Sequence, residues 1–301
     1  MSSSEFEIRS ARADDWAVLR TLLPAVVHFG AGTWNFLAED LGGMPVGALA
    51  MERHLSGQGL PGMRVAIRIV EGSNARGAAE ALLAAAEKVA AQHRAAALHA
   101  WNVLPIESHE AAVWRAHGFT HETRVVEARL DVAAAEAFLA QRWERIEARR
   151  GVPAGVTIEA LRDVPADVAA IAARWHAAHF GGSEARLLDQ VFGRSVDRFD
   201  PDLSQILRVN GRVVGTMLAF RSGDESRAEG TVIDPAFRGG WANVLLKLHS
   251  FRNGRMRGVT TAVFYTFDQH ADTRKFAQRM GASVRERVAL ARPMGARAPQ
   301  A

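Results

Sequence analysis

The feature that most constrains this chain is an order of elements that runs twice. In the first half, residues 6–10 read as a strand and 13–27 as an amphipathic helix opened by Asp14 and Asp15. Residues 34–38 and 46–51 read as strands joined through Gly42-Gly43, and 64–70 as a buried strand. An alanine-rich helix opens at Ala78, followed by a strand at 97–103, a helix at 107–116 that stops at Gly118, and a strand at 123–130. The second half starts with a strand at 156–160, a helix at 164–178 behind Asp163, and an additional helix at 186–196. Strands at 205–209 and 213–220 flank Asn210-Gly211, the strongest hairpin signal in the chain. Then come a strand at 228–233, a helix from Trp241 to about Asn253 behind Gly239-Gly240, a strand at 260–266, a helix at 271–280 stopped by Gly281, and a strand at 283–291. Arg76-Gly77 thus returns as Arg238-Gly239, and Gly118 as Gly281, at nearly equal separations. Ile8 and Ile158 stand about 12 residues closer together, a deficit that falls where the second half carries its extra helix. The fold class is therefore α/β (α+β), one fold used twice. The expected domains are residues 1–131 and 155–301, joined by a helix and break at 132–154.

Composition narrows the function. In 301 residues, 48% hydrophobic and 23% charged is ordinary globular content, which excludes a fibre or a disordered chain. No cysteine is present, so a disulfide scaffold, a thiolate zinc site and a cysteine nucleophile are excluded together. The basic excess is only +4, and Lys88, Lys247 and Lys275 are the only lysines among 37 basic residues. With the rest arginine and one tyrosine, little titrates above neutrality, so the sequence pI of about 10.2 is no nucleic-acid footprint. The short run Arg252, Arg255, Arg257 reads as solvated surface, and the seven tryptophans are too scattered for a base-stacking platform. The opening residues lack the basic start and apolar stretch of a targeting signal. Residues 78–98 carry Glu80, Glu87, Lys88 and Arg94, which forbids a membrane span. A cytoplasmic monomer or homodimer with no nucleic-acid and no membrane partner is expected.

The stretch that carries chemistry is Ile233-Asp234-Pro235-Ala236-Phe237-Arg238-Gly239-Gly240-Trp241-Ala242, a strand end, a glycine turn and a helix start. A helix N-terminus leaves backbone N–H groups unpaired and partially positive, and glycines let that backbone close on a pyrophosphate. The stretch resembles the Val-x-Pro-x-x-Arg-Gly-x-Gly-x-Gly/Ala motif of the GNAT (GCN5-related) N-acyltransferases, with Trp241 where the second glycine falls. The downstream order of helix, strand, helix, glycine and final strand extends the likeness over nearly the whole chain. The resemblance implies two tandem GNAT-like domains, each a mixed, mostly antiparallel sheet flanked by helices. It implies that the backbone of Arg238, Gly239, Gly240, Trp241, Ala242 and Asn243 grips the pyrophosphate of acetyl-CoA or another acyl-CoA co-substrate. The strand end Thr231, Val232 and Ile233 would pair with the pantetheine arm. In the first copy, Asn74-Ala75-Arg76-Gly77-Ala78-Ala79-Glu80-Ala81 keeps Arg-Gly but has Ala79 for the second glycine and no proline. Glu80 there sets a carboxylate against any phosphate or serves as a capping charge, so the first copy is expected to bind coenzyme poorly or not at all.

Acyl transfer to an amine needs a base for the attacking ammonium and benefits from an acid for the departing thiolate. In GNAT enzymes the acid is often a tyrosine four residues before a helix-stop glycine; those positions here hold Ala277 and Trp114. Glu229, four residues before Ile233, is the first candidate base. Tyr265, the only tyrosine, lies on the strand that the resemblance sets beside the acyl thioester, and His270 stands where an asparagine is common. His176 and His179 have a spacing that could hold a metal, but no third ligand accompanies them, so they read as surface residues and no metal is expected. The expected function is acyl transfer to the amine of a small molecule or peptide by direct attack in a ternary complex, with the second copy active. The alternative is a catalytically inactive protein that binds acyl-CoA or a partner on the same scaffold, kept open by the two missing tyrosines.

Overall fold

A computed structural model of the chain describes residues 6–23, 32–55, 61–70, 72, 75–150, 152–195, 197–238, 240–267 and 271–294. The first part of the chain forms β1 (Phe6–Ser10), α1 (Trp16–Leu22), β2 (Thr33–Asp40), β3 (Pro45–Leu55), β4 (Pro61–Ile69), α2 (Ala75–Gln92), β5 (Ala97–Ala100), β6 (Leu104–Pro105), α3 (His109–Ala116) and β7 (His121–Asp131). After α4 (Val132–Arg150) come β8 (Val156–Ala160), α5 (Ala166–Phe180), α6 (Glu184–Val191), β9 (Gln205–Val209), β10 (Arg212–Ser222), β11 (Glu225–Ile233), α7 (Trp241–Met256), β12 (Thr261–Phe267), α8 (Ala271–Arg279) and β13 (Ser283–Pro293). The expected helix at 13–27 is a 3-10 turn, Ala13–Asp15, running into the short α1; its end lies outside the described residues. Asn210 and Gly211 both take positive φ, 49° and 79°, which is the turn geometry their hairpin requires.

The chain forms two compact units, neither contiguous in sequence. The first comprises Met1–Arg124, Phe180–Arg186 and Arg287–Ala301; the second comprises Val125–His179 and Leu187–Glu286. In the first unit β1 to β4 pair antiparallel in sequence order and β5 lies parallel to β4. Strand alternation then divides two layers. Leu49, Met51, Met63 and Val65 face Leu82, Leu83 and Ala86 of α2, whereas Ala48, Ala50 and Ala66 face Leu19 of α1. A fully buried leucine such as Leu82 contributes about 2 kcal/mol. In the second unit β8 to β11 pair antiparallel and β12 lies parallel to β11. Val244 and Leu248 of α7 pack with Ala219, Ala262 and the α4 residues Ala135 and Leu139 on one face. Val168 and Ala172 of α5 cover Ile206, Leu218 and Phe220 on the other.

Each half lends its last strand to the other unit. β7 runs antiparallel to β12, from Thr261↔Asp131 to Phe267↔Val125. β13 pairs with β5 through Ala291↔His99 and with β6 through Val288↔Leu104. A second excursion, Phe180–Arg186, belongs to the first unit, where Gly182 N–H donates to the Arg53 carbonyl at 3.1 Å.

Candidate active site

In the second unit, β11 and β12 share only three register pairs, Glu225↔Thr261, Ser226↔Ala262 and Arg227↔Val263. Beyond them β11 stays paired to β10 and β12 to β7, so the edges that face each other part. The opened β11 edge, which includes Thr231, Val232 and Ile233, offers backbone N–H and C=O groups to an extended ligand. β11 is also bulged: Leu218 pairs with Gly230 and Ala219 with Ala228, leaving Glu229 as the extra residue. A bulge re-aims side chains at a strand's working end. The Glu229 carboxylate is half-buried and takes no hydrogen bond or ion pair among the described residues.

The strand leads into a 3-10 turn, Pro235–Phe237, capped by Asp234, whose carboxylate accepts from Ala236 N–H at 2.9 Å and pairs with Arg212. Gly240 then adopts φ 104°, ψ −38°, a conformation that favours glycine, and caps α7 without a side-chain acceptor. The first intrahelical bond runs from Val244 N–H to the Gly240 carbonyl at 3.0 Å. The N–H groups of Trp241, Ala242 and Asn243 are therefore left to point out of the helix end. Arg238 is exposed beside them and has no partner among the described residues. Gly239 and His270 lie outside the described residues.

Ala262 and Phe264 pack with Val244 and Leu248, so Tyr265 between Phe264 and Thr266 faces the α5 side, where it is 40% exposed. It sits opposite Glu127 of the exchanged strand β7, a carboxylate buried beside Arg129 at 3.4 Å. His176 corrects the surface expectation. It is 1% exposed on α5, with Nε2 3.2 Å from the Thr216 hydroxyl, and burial pushes its pKa down to about 3. Its neutral ring belongs to the packing of α5 on β10, while His179 remains exposed. No group of three metal-ligating side chains occurs among the described residues. Ala277 is fully buried and brings no hydroxyl.

The first unit has the same parting of strands but not the bulge. β4 and β5 share three pairs, Met63↔Leu98, Arg64↔His99 and Val65↔Ala100. The register of β4 on β3 is unbroken from Gly47↔Ile69 to Leu55↔Pro61, so no bulge stands in Glu229's place. At the start of α2, Arg76 donates to Glu80 at 2.9 Å, which spends the nearest cation on a neighbouring carboxylate. The strand opening lies against Trp101, on which Arg64 stacks at 4.3 Å. Trp114 is buried edge-on to Phe119.

Several solved structures share this architecture. A tandem GNAT protein from the clavulanic acid biosynthesis pathway is 19% identical over 97% of this chain and 99% of that one, with a TM-score of 0.58. A GCN5-related glucosamine N-acetyltransferase region of a fungal multi-domain GH3 β-N-acetylglucosaminidase is 13% identical, covers 97% of this chain and 38% of that one, and has a TM-score of 0.61. A GCN5-related N-acetyltransferase from Kribbella flavida is 11% identical over 97% of this chain and 72% of that one, with a TM-score of 0.54. The fold is that of the GNAT N-acetyltransferases, and it is a tandem GNAT fold. No protein-family model matches the sequence, and no curated protein matches it either. No helix among the described residues is long and apolar enough to cross a membrane.

Proposed function

We propose that the protein is an acyl-CoA-dependent N-acyltransferase, using acetyl-CoA, that acylates the amine of a small molecule or peptide in a ternary complex. The observation that carries this reading is the coincidence, in the second unit alone, of parted strands, a bulge at Glu229 and an uncapped helix start at Gly240. The backbone from Gly240 to Asn243, with Arg238 beside it, holds the pyrophosphate, and Thr231, Val232 and Ile233 line the pantetheine arm. Glu229 removes a proton from the acceptor ammonium, and the freed amine attacks the thioester carbonyl. Tyr265 lines the acceptor side. In this reading the copies are residues 1–131 and 155–301, joined by 132–154, and the first is structural.

Thiol release from acetyl-CoA across a panel of amines tests the reaction, and transfer to at least one amine is expected. Glu229→Gln should lower kcat about 100-fold while leaving coenzyme affinity within twofold, since the base acts on the acceptor. A Glu229→Gln enzyme with unchanged kcat assigns the proton to another group. A second reading, binding of acyl-CoA without catalysis, is favoured by Ala277 and Trp114, neither of which can serve as the expected acid. Tight coenzyme binding with no release for any amine would select it.

A further inference from the structure

The departing thiolate needs a proton, and the helix that ordinarily supplies it cannot, because Ala277 has no acidic hydrogen. One cation stands nearby without employment. Lys247 is on α7, in the second turn beyond the uncapped helix start, and is half-buried. Its Nζ lies 4.9 Å from the ring centroid of Phe276, the residue immediately before Ala277. Phe276 belongs to the same packed cluster as Phe264, the first β12 residue beyond the last β11–β12 pair. The ammonium thus lies against α8, one residue from the place of the absent tyrosine and in contact with a cluster that reaches Phe264. Lys247 makes no hydrogen bond or ion pair among the described residues, unlike the arginines of the same helix, Arg252 and Arg255, which are both paired with Glu136.

We propose that Lys247 is the general acid of the acyl transfer, delivering its proton to the coenzyme A sulfur in place of the absent tyrosine; this rests on the reading of the second unit as the acyl-CoA site. As the acceptor nitrogen bonds to the carbonyl carbon, the carbon–sulfur bond breaks and its electron pair goes to sulfur. Two protons leave the acceptor nitrogen in all, the first through Glu229. Lys247 Nζ gives one proton to sulfur, yielding free thiol, and is reprotonated from solvent, so one proton is released per turnover. Burial pushes the Lys247 pKa down to about 8, which suits proton donation near neutrality. Arg142 of α4 lies 5.9 Å from the same ring; the helices packed around Lys247 carry the carboxylates Glu136, Glu144 and Glu147 of α4 and Asp272 of α8, with His249 of α7 and Arg274, Lys275 and Arg279 of α8. Glu136 is committed to Arg252 and Arg255, and Lys247 forms no ion pair with any carboxylate among the described residues.

The test compares Lys247→Met and Lys247→Arg in the full chain by two readouts. The first is kcat against pH with an acceptor found by the thiol-release panel. The parent protein should show an alkaline limb near pH 8; both variants should lose about 100-fold in kcat and lose that limb, because methionine has no proton to give and arginine keeps the charge but holds its proton. The second needs no turnover: the ultraviolet absorbance of the coenzyme A thiolate, followed with pH in the bound complex. The bound thiol should titrate about 1 unit lower in the parent and in Lys247→Arg than in Lys247→Met. Unchanged kcat with a retained limb, or a thiol that titrates identically in all three proteins, overturns the proposal. Calorimetry separates the underlying reading: no coenzyme A binding by the parent protein rejects the acyl-CoA site itself and this role with it.

Discussion

Gly240→Asp should abolish coenzyme A binding, while Gly77→Asp should leave it within about twofold, as read by calorimetry. Gly240 sits at φ 104°, and an ideal β-carbon built there meets no heavy atom within 4 Å. The new side chain therefore meets no neighbour, and the cost it brings is strain in the backbone at Gly240 itself. A positive φ costs a non-glycine residue about 1–2 kcal/mol, part of which an acidic residue at a helix N-terminus recovers. What it cannot recover is the ligand, because its carboxylate occupies the partially positive helix end that the pyrophosphate needs. A loss of at least about 100-fold in affinity, or 2.7 kcal/mol, is expected. Gly240→Ala supplies the backbone strain without the charge and should fall between the parent and Gly240→Asp. Gly77 is already followed by Glu80, so one further carboxylate at the start of α2 removes nothing if the first unit holds no coenzyme. Loss of binding in Gly77→Asp and retention in Gly240→Asp would exchange the roles of the two copies.

Most of the elements were legible because each is announced by its own residues. Asn210-Gly211 marks its hairpin, Gly118 and Gly281 follow their helices, and the alternation of residues 64–70 emerges as β4. The exchange of β7 and β13 was not legible, for a physical reason. Both strands alternate and both follow a helix and a glycine, so either fits beside β5 or β12, and tertiary contacts alone choose between them. The excursion of residues 180–186 was hidden in the same way, in a span that reads as the approach to a helix. At the site, Gly240 and Glu229 could be named from the motif, but the bulge at Glu229 could not, because it is a mismatch between two strands and neither carries it alone. The burial of His176 was not legible, because a histidine amid Ala, Arg and Trp gives no sign of it; Thr216, which it meets on β10, is 40 residues away. Lys247 was visible only as one of three lysines, and its place over Phe276 depends on how α7 meets α8.

The largest effect on stability should come from a carboxylate that the motifs never touched. Glu52 on β3 is 1% exposed, and Arg64 donates to it at 2.5 Å while Arg186 donates through Nε at 2.8 Å. Burial alone would raise its pKa, but the two guanidinium groups outweigh that and hold it below the usual carboxylate range. Both arginines also stack on Trp101, at 4.3 and 5.7 Å. Glu52→Ala takes from the buried Arg186, and from Arg64, the carboxylate to which both donate, so a loss of about 3–5 kcal/mol is expected in urea unfolding at pH 7. Replacing Glu52 and Arg186 together by leucine and methionine should cost less than Glu52→Ala alone, because the desolvated charge is removed with its partner. The acid response has two parts. His54, His99 and His176 are pushed down to about 3, 4 and 3, chiefly by burial, so the unfolded chain binds protons first and stability falls as pH drops below about 6.5. Glu52, with its depressed folded pKa, contributes stability fully above its unfolded value of about 4.3 and loses it as pH falls further. Glu52→Gln should therefore be destabilised at pH 7, keep the histidine-dependent decline, and fall less steeply than the parent below about pH 4.3, where Asp15, held down by Arg9, still contributes. A variant within 1 kcal/mol of the parent at pH 7 would mean that the Glu52 cluster is not what holds residues 180–186 in the first unit.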